Sequence, residues 1–383
     1  MPSFLAAIFL LLADLMAQPG SRPRARELGV PFEGTPGSNN AITDVPGVTV
    51  GLVSLVSGEG PLKVGVGPVR TGVTAILPRG RGSKDPVFAG WFPLNGNGEM
   101  TGTAWIDEGG YLEGPVFITN THSVGTVRDA SIAWAARNDR LFQPWALPVV
   151  AETYDGWLND INGFHVKAEH VFAALDGART GPVPEGNTGG GTGMICYGFK
   201  CGTGTASRRL DERSGGYVVG VLVQANHGRR RDLRIAGVPV GAEIPEPPER
   251  LSSAARDPEV ETGSIIVVIA TDAPLLPHQL KRLARRAALG LARTGSVSGD
   301  GSGDIFVAFS TANPGAATAP ETASVRMVSN RRISALFEAV VQSTEEAIVN
   351  ALVAAETMTG AEGRRVEALP HDRLRAALKK YGR

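Results

Sequence analysis

Apolar positions along this chain fall into two kinds of stretch. One kind is short, β-branched and unbroken: Ile265-Ile266-Val267-Val268-Ile269-Ala270, Tyr217 to Gln224, and Ile305 to Phe309. Runs without polar alternation predict strands buried on both faces. Further strands are predicted from Thr71 to Leu77, from Val116 to Thr119 and from Val149 towards Gly156. The other kind recurs at helical spacing. Leu280, Leu283, Ala284, Ala287 and Leu291 share one face, with Lys281, Arg282, Arg285 and Arg286 on the opposite one. That pattern predicts an amphipathic helix packed on a sheet and ending at Gly295. Helices are also predicted over Val124 to Arg137 and Ala168 to Leu175. Near the C-terminus two more are expected, Ile333 to Val341 and Ser343 to Met358, the second opened by a capping box of Ser343 and Glu346. A basic helix, Arg373 to Lys380, closes the chain.

Composition narrows the class. The chain has 383 residues, 42% of them apolar, enough for a sizeable core. Its 49 Gly and 26 Pro imply many tight turns, as in a sheet-rich enzyme. Lys+Arg and Asp+Glu both number 38, so no net charge favours nucleic acid or an anionic membrane as a partner. The apolar run Phe4 to Met16 is too short to span a bilayer. It resembles a signal-peptide core, with Ala13 and Ala17 near a cut site, although no Lys or Arg precedes it. Export to the periplasm or beyond is expected, with a cytoplasmic protein carrying an N-terminal amphipathic helix as the alternative. Cys196 and Cys201, with four residues between them, lack a second ligand pair for a metal. Two unpaired thiols are the expectation, and a hairpin-bridging disulfide the alternative if the chain is exported.

The candidate chemistry centres on Gly263-Ser264. A Pro- and charge-rich segment, from Pro239 to Glu261, leads up to it and should lie exposed. The buried strand follows at once. Cleavage of the Gly263–Ser264 bond would make Ser264 a new N-terminus, with a hydroxyl nucleophile and its own α-amine as base on one rigid strand end. On local residues alone a plain loop-to-strand junction is the favoured reading, since Gly-Ser pairs are common at turns. Glu152 and Tyr154 are two apart, which on a strand puts a carboxylate and a phenol on one side. Asn226, at the end of the strand from Tyr217, could be a turn former or an oxyanion donor. Ser302 and Asp304 flank Gly303 at the start of another strand, so both side chains can point the same way. The glycines from Gly186 to Gly204 fit neither a P-loop nor a dinucleotide fingerprint; a wall along which substrate backbone passes is the expectation. Asn95-Gly96-Asn97-Gly98-Glu99 has turn chemistry with room for close backbone approach. Arg229-Arg230-Arg231 reads as a solvated loop or salt-bridge cluster.

Together these stretches resemble the L-aminopeptidase/D-esterase family, which includes the β-peptidyl aminopeptidases. The resemblance rests on Thr262 to Leu275, Gly301 to Ser310, Asp44 to Val48, Glu152 to Asp160, Gly191 to Met194 with Gly204 to Arg208, and Val223 to Asn226, in order from about residue 30 onward. It implies an α/β protein with a four-layer αββα sandwich similar to the N-terminal nucleophile hydrolases. It implies one catalytic domain, 27–383, following a candidate signal peptide or extension at 1–26. Self-cleavage between Gly263 and Ser264 would split it into a large chain, 27–263, and a small chain, 264–383, associated in a homotetramer. By resemblance Ser264 is the nucleophile, Ser302 and Asp304 support proton transfer, and Asn226 lies at the oxyanion. Tyr154 matches the family's active-site tyrosine, and Glu152 the carboxylate that holds the substrate's free amine. Some members carry Glu where this chain has Asp304.

The chemistry is coherent without the family. An exopeptidase needs a nucleophile, a base, oxyanion donors and an anion for the substrate ammonium. A terminal amine has an ordinary pKa of about 8. No His-Glu-x-x-His occurs and His number six, so no metal or other cofactor is expected. Nor does Ser264 sit in a Gly-x-Ser-x-Gly elbow. The expected partner is a small peptide, amide or ester with a free amino group. An acyltransferase on a related self-cleaving fold, or an unprocessed binding protein, are the alternatives.

Overall fold

The computed structural model describes residues 23–246 and 262–383. The N-terminal apolar run and most of the Pro- and charge-rich lead-in to Ser264 lie outside the described residues. Two sheets form the centre. The first contains β1 (Thr49–Ser57), β2 (Val69–Leu77), β5 (Val116–Asn120) and β6 (Val149–Thr153), in the order β1-β2-β5-β6. The second contains β3 (Val87–Pro93), β4 (Tyr111–Leu112), β9 (Thr203–Arg209), β10 (Val218–Asn226), β11 (Thr262–Thr271) and β13 (Ile305–Ser310), in the order β4-β3-β13-β11-β10-β9. A two-residue strand, β12 (Gly301–Ser302), pairs with the start of β11. Two small hairpins complete the strands: β7 (Ile195–Cys196) with β8 (Phe199–Lys200), and β14 (Met358–Thr359) with β15 (Arg365–Val366).

The helices are α1 (Thr103–Gly109), α2 (Val124–Arg137), α3 (Ala168–Asp176), α4 (Val240–Glu243), α5 (Pro277–Arg293), α6 (Ser334–Val353) and α7 (His371–Lys380). Burial sorts them into layers. The odd residues of β11, Ile265, Val267 and Ile269, pack with Leu280, Leu283 and Ala284 of α5 and with α6. The even ones, Ile266, Val268 and Ala270, pack with Ile76, Ile118 and Ala151 of the other sheet. Strand period two thus sends one run of side chains into two cores. On the far face of the first sheet, Val73, Phe117 and Val150 pack with α2 and α3. The layers are helix, sheet, sheet, helix, the expected αββα sandwich. Each fully buried Val or Ile contributes about 1.5–3 kcal/mol, so β11 is anchored from both sides. Among the described residues, no helix is long and apolar enough to cross a membrane.

Three expectations change. The two helices expected across Ile333 to Met358 are one, α6, and its Ser343 and Glu346 are buried inside it. Glu346 is no cap residue. Its carboxylate accepts from Arg26 at 2.7 Å, from Arg208 at 2.7 Å and from Asn40 at 2.6 Å. The polar pair that looked like a helix start is part of an ionic network tying α6 to β9 and to the N-terminal segment. Cys196 and Cys201 are not free thiols. They form a disulfide, with Cα atoms 5.3 Å apart, across the β7–β8 hairpin. The Gly-dense segment is not a substrate wall either. Gly189–Gly193 forms a buried 3₁₀ turn, where an added Cβ at Gly190 would lie 2.2 Å from Gln224 Oε1, and at Gly191 2.3 Å from the Thr203 nitrogen. These glycines serve close packing. In the arginine triplet, Arg229 pairs with Asp232 at 2.6 Å, while Arg230 is buried over the Phe199 ring.

Burial pushes the Glu346 carboxyl up, but the hydrogen bonds and charges of Arg26 and Arg208 outweigh it and hold the carboxyl below its ordinary range. A depressed carboxyl stabilises the fold above its unfolded pKa and loses that contribution as pH falls. Removing one partner of such a buried pair strands the other charge. Glu346→Ala should therefore lower unfolding free energy by about 3–5 kcal/mol at neutral pH. Denaturant titrations of both proteins check this, and the gap should narrow at acid pH.

Candidate active site

The start of β11 is held on both sides. Ser264 stands opposite Asn226 of β10 in antiparallel register, and Gly263 opposite Ser302 of β12 in parallel register. This one strand end brings together Gly263, Ser264, Asn226 and Ser302. Glycine at 263 has a steric reason: φ is +155°, and an added Cβ would lie 2.1 Å from the Asn226 carbonyl oxygen. Ser264 is 6% exposed, and its Oγ accepts from the Gly303 N–H at 3.2 Å.

Ser302 and Asp304 lie behind Ser264, both fully buried. The Ser302 hydroxyl donates to Asp304 Oδ1 at 2.6 Å, and the same oxygen accepts from the Ile265 N–H at 3.2 Å. Asp therefore reaches both the supporting serine and the nucleophile's strand without the extra CH₂ of Glu. β12 and β13 keep one parallel register on β11, Gly263 opposite Ser302 and Ile266 opposite Ile305, so Ser302 and Asp304 lie two apart along one strand course, as alternation predicts. The Asn95–Glu99 loop holds this stretch from outside. Asn95 Oδ1 accepts from the Asp304 N–H at 2.6 Å, and its Nδ2 donates to the carbonyls of Ser298 and Gly299 at 3.2 Å each. Asn97 donates from its N–H to Ser302 O at 3.3 Å and from Nδ2 to Gly301 O at 2.9 Å. The backbones touch here: a Cβ on Gly303 would lie 2.3 Å from Asn97 O. The sequence pointed to close approach by this loop but not to its clamping role. The repeated Asn-Gly was the available signal.

Asn226 is fixed by two bonds. Its Oδ1 accepts from the Ile195 N–H at 2.9 Å, and its Nδ2 donates to Tyr154 O at 2.9 Å. With the oxygen committed to the β7–β8 hairpin, the amide presents nitrogen towards the cleft, and one of its two N–H bonds remains for a ligand. Cleft walls come from Ser264, Asn226, Glu152, Tyr154, Trp157 and Arg364, among others. Glu152 is 3% exposed and Tyr154 51% exposed. Because β6 ends at Thr153, Tyr154 is already off the strand; the two line one cleft without sharing a strand face. Glu152 accepts from the Glu99 N–H at 3.1 Å and from the Thr121 hydroxyl. Burial raises its pKa above the ordinary carboxyl value; those two hydrogen bonds pull it back, and the Glu99 charge adds to the rise. Thr121 and Arg364 escaped sequence reading, since neither stands in a pattern that marks a site.

The arrangement offers a hydroxyl on a rigid strand end, a buried hydroxyl–carboxylate pair behind it, an amide donor beside it and a buried carboxylate in the same cleft. Known proteins are similar to this chain over most of its length. Residues 40–366 match the sequence profile of peptidase family S58. The chain is 58% identical, over 98% of its length and 96% of the relative's, to the beta-peptidyl aminopeptidase BapA of Sphingosinicella microcystinivorans. Among solved structures, the L-aminopeptidase D-Ala-esterase/amidase of Ochrobactrum anthropi, described as a prototype for the serine aminopeptidases and a new variant of the Ntn hydrolase fold, superposes with a TM-score of 0.86. It is 51% identical, with 94% of this chain and 99% of that one covered. A beta-aminopeptidase from a Burkholderia species superposes with a TM-score of 0.84, also at 51% identity, with the same coverage. The fold is thus this variant of the Ntn hydrolase sandwich.

The Asn95 clamp is testable by itself. Asn95→Ala leaves the buried Asp304 N–H without its acceptor, which should cost about 1–3 kcal/mol of stability. Thermal or denaturant unfolding against wild type measures it; an unchanged midpoint would mean the loop does not support the Ser302–Asp304 stretch.

Proposed function

This chain belongs to peptidase family S58, and from that premise we propose that it is a self-processing serine aminopeptidase whose nucleophile is Ser264. One observation carries the reading: the start of β11 joins Ser264 to Asn226 on one side and to the Ser302–Asp304 pair on the other, facing a cleft that holds buried Glu152.

In self-cleavage the Ser264 hydroxyl attacks the Gly263 carbonyl. The C–N bond breaks as the C–O bond forms, and the amine takes the proton. Water then hydrolyses the ester, freeing Gly263 as a carboxylate and Ser264 as an N-terminus. Each later turnover repeats the chemistry on substrate. The Ser264 amine, with an ordinary pKa of about 8, takes the hydroxyl proton as Oγ attacks the substrate carbonyl. Ser302 spends its one proton on Asp304, so its lone pairs are left to accept from the ammonium forming on Ser264, and the Asp304 charge favours that cation. The free N–H of Asn226 meets the oxyanion, with the Tyr154 hydroxyl on the same cleft wall. The leaving amine takes the proton, and water releases the acyl group from Ser264. Glu152, as carboxylate, holds the substrate ammonium.

Likeness to a beta-peptidyl aminopeptidase makes peptides with an N-terminal β-amino acid the first substrates to try. A disulfide fits an oxidising compartment, which supports export. A homotetramer of processed chains completes the reading.

Glu152→Gln should lower kcat/KM on amino-terminated substrates about 10–100-fold, the worth of a charge-assisted hydrogen bond, while self-cleavage proceeds. For the wild type, the raised Glu152 pKa sets the sign of the pH effect. As pH falls through it the carboxylate is neutralised and KM rises, at a higher pH than an ordinary carboxyl would give. Equal turnover of a free-amine substrate and its N-acetyl form would contradict this role. Asp304→Asn and Ser302→Ala should each cut turnover of the processed enzyme about 10²–10⁴-fold. Normal processing with near wild-type turnover would remove the pair from the mechanism.

A further inference from the structure

Arg364 stands between β14 and β15, in the part of the chain that follows Ser264, and lines the same cleft as Glu152 and Ser264. Its guanidinium is set in place by an aromatic ring and a backbone carbonyl. Its Cζ sits 4.5 Å from the centre of the Trp157 ring, and Nη1 donates to Trp157 O at 3.1 Å. Stacking of this kind fixes the plane of the fork. Among the described residues no carboxylate forms an ion pair with it. Of the cleft's carboxylates, Glu152 accepts from Thr121 and the Glu99 N–H, and Glu99 forms no ion pair with Arg364 among the described residues; nearby in sequence, Glu362 accepts from the Leu62 N–H and Glu367 pairs with Arg365. The cleft therefore contains an oriented, half-buried cation whose remaining N–H donors meet no protein acceptor among those residues.

In the reading proposed above, on which this inference rests, Glu152 takes the substrate ammonium and Ser264 with Asn226 takes the scissile carbonyl. Two sides of the cleft remain for the leaving group, the Gly96–Glu99 loop with Gly301 and the side of Trp157 and Arg364; Arg364 is the one cationic side chain among the described lining residues, so an anionic leaving group is drawn to it. We infer that Arg364 binds the carboxylate of the leaving amino acid, so that the substrates this cleft favours are dipeptides with a free C-terminus. The two ends of such a zwitterion then meet opposite charges, Glu152 at the amine and Arg364 at the acid. A planar guanidinium fork matches a carboxylate through paired N–H donors. An amide or ester leaving group keeps the acyl contacts but has no anion for the arginine.

The test compares three substrates that share one N-terminal β-amino acid: a dipeptide with a free carboxylate, the same dipeptide as its C-terminal amide, and the p-nitroanilide. For wild type, kcat/KM on the free acid should exceed that on the amide by about 10–100-fold, the worth of hydrogen bonds to a charged group, chiefly through KM. Arg364→Met should bring the ratio near one, and Arg364→Lys should keep part of it. A wild-type ratio near one overturns the inference, whatever the variants do, and so does a ratio unchanged in Arg364→Met. Turnover of the p-nitroanilide alongside a ratio near one rejects the carboxylate site alone. Failure to turn over any of the three rejects the aminopeptidase reading and this inference with it.

Discussion

Everything in this structure leans on the two-sided pairing at the start of β11. A strand end is ordinarily where order fades. Here Ser264 is held opposite Asn226, Gly263 opposite Ser302, and the next N–H, that of Ile265, is bonded to Asp304. Such a grip is available only to an interior strand, and β11 runs with β10 on one edge and β12 and β13 on the other. The close approach also needs glycine at 263, where a Cβ would collide with Asn226 O.

The layers around β11 turn that grip into chemistry. Packing between the sheets buries Ser302, Asp304 and Glu152, and burial strengthens each polar contact they make. Loops from other parts of the chain finish the site: Asn95 and Asn97 clamp the Gly301–Asp304 stretch, and the disulfide-closed β7–β8 hairpin orients Asn226 through Ile195. Farther away, Glu346 ties α6 to β9 and so steadies the sheet from its helical side.

Much of this was legible in the residues. The unbroken run Ile265 to Ala270 announced a strand buried on both faces, and the span Val124 to Arg137 coincides with α2. Local pattern misled where a residue's partners are remote. Ser343 and Glu346 have the spacing of a capping box, yet Glu346 answers Arg26, 320 residues away in sequence. The cysteines looked free because their pairing depends on a hairpin that spacing alone does not reveal. Ser302 and Asp304 meet along one strand course, as their spacing predicts, and the Asn95 clamp on that stretch came from a remote loop. Arg364 carried no signal, since a single arginine in a loop acquires meaning only from the cleft it reaches.

The central claim is that Ser264 becomes an N-terminus and then the nucleophile. Intact mass and N-terminal sequencing of the purified protein test it most directly. The account requires two chains, the smaller beginning Ser-Ile-Ile-Val-Val, and a single full-length chain once Ser264 is replaced by Ala. A wild-type protein that stays whole while hydrolysing substrate, or a small chain that begins at any other residue, would contradict it.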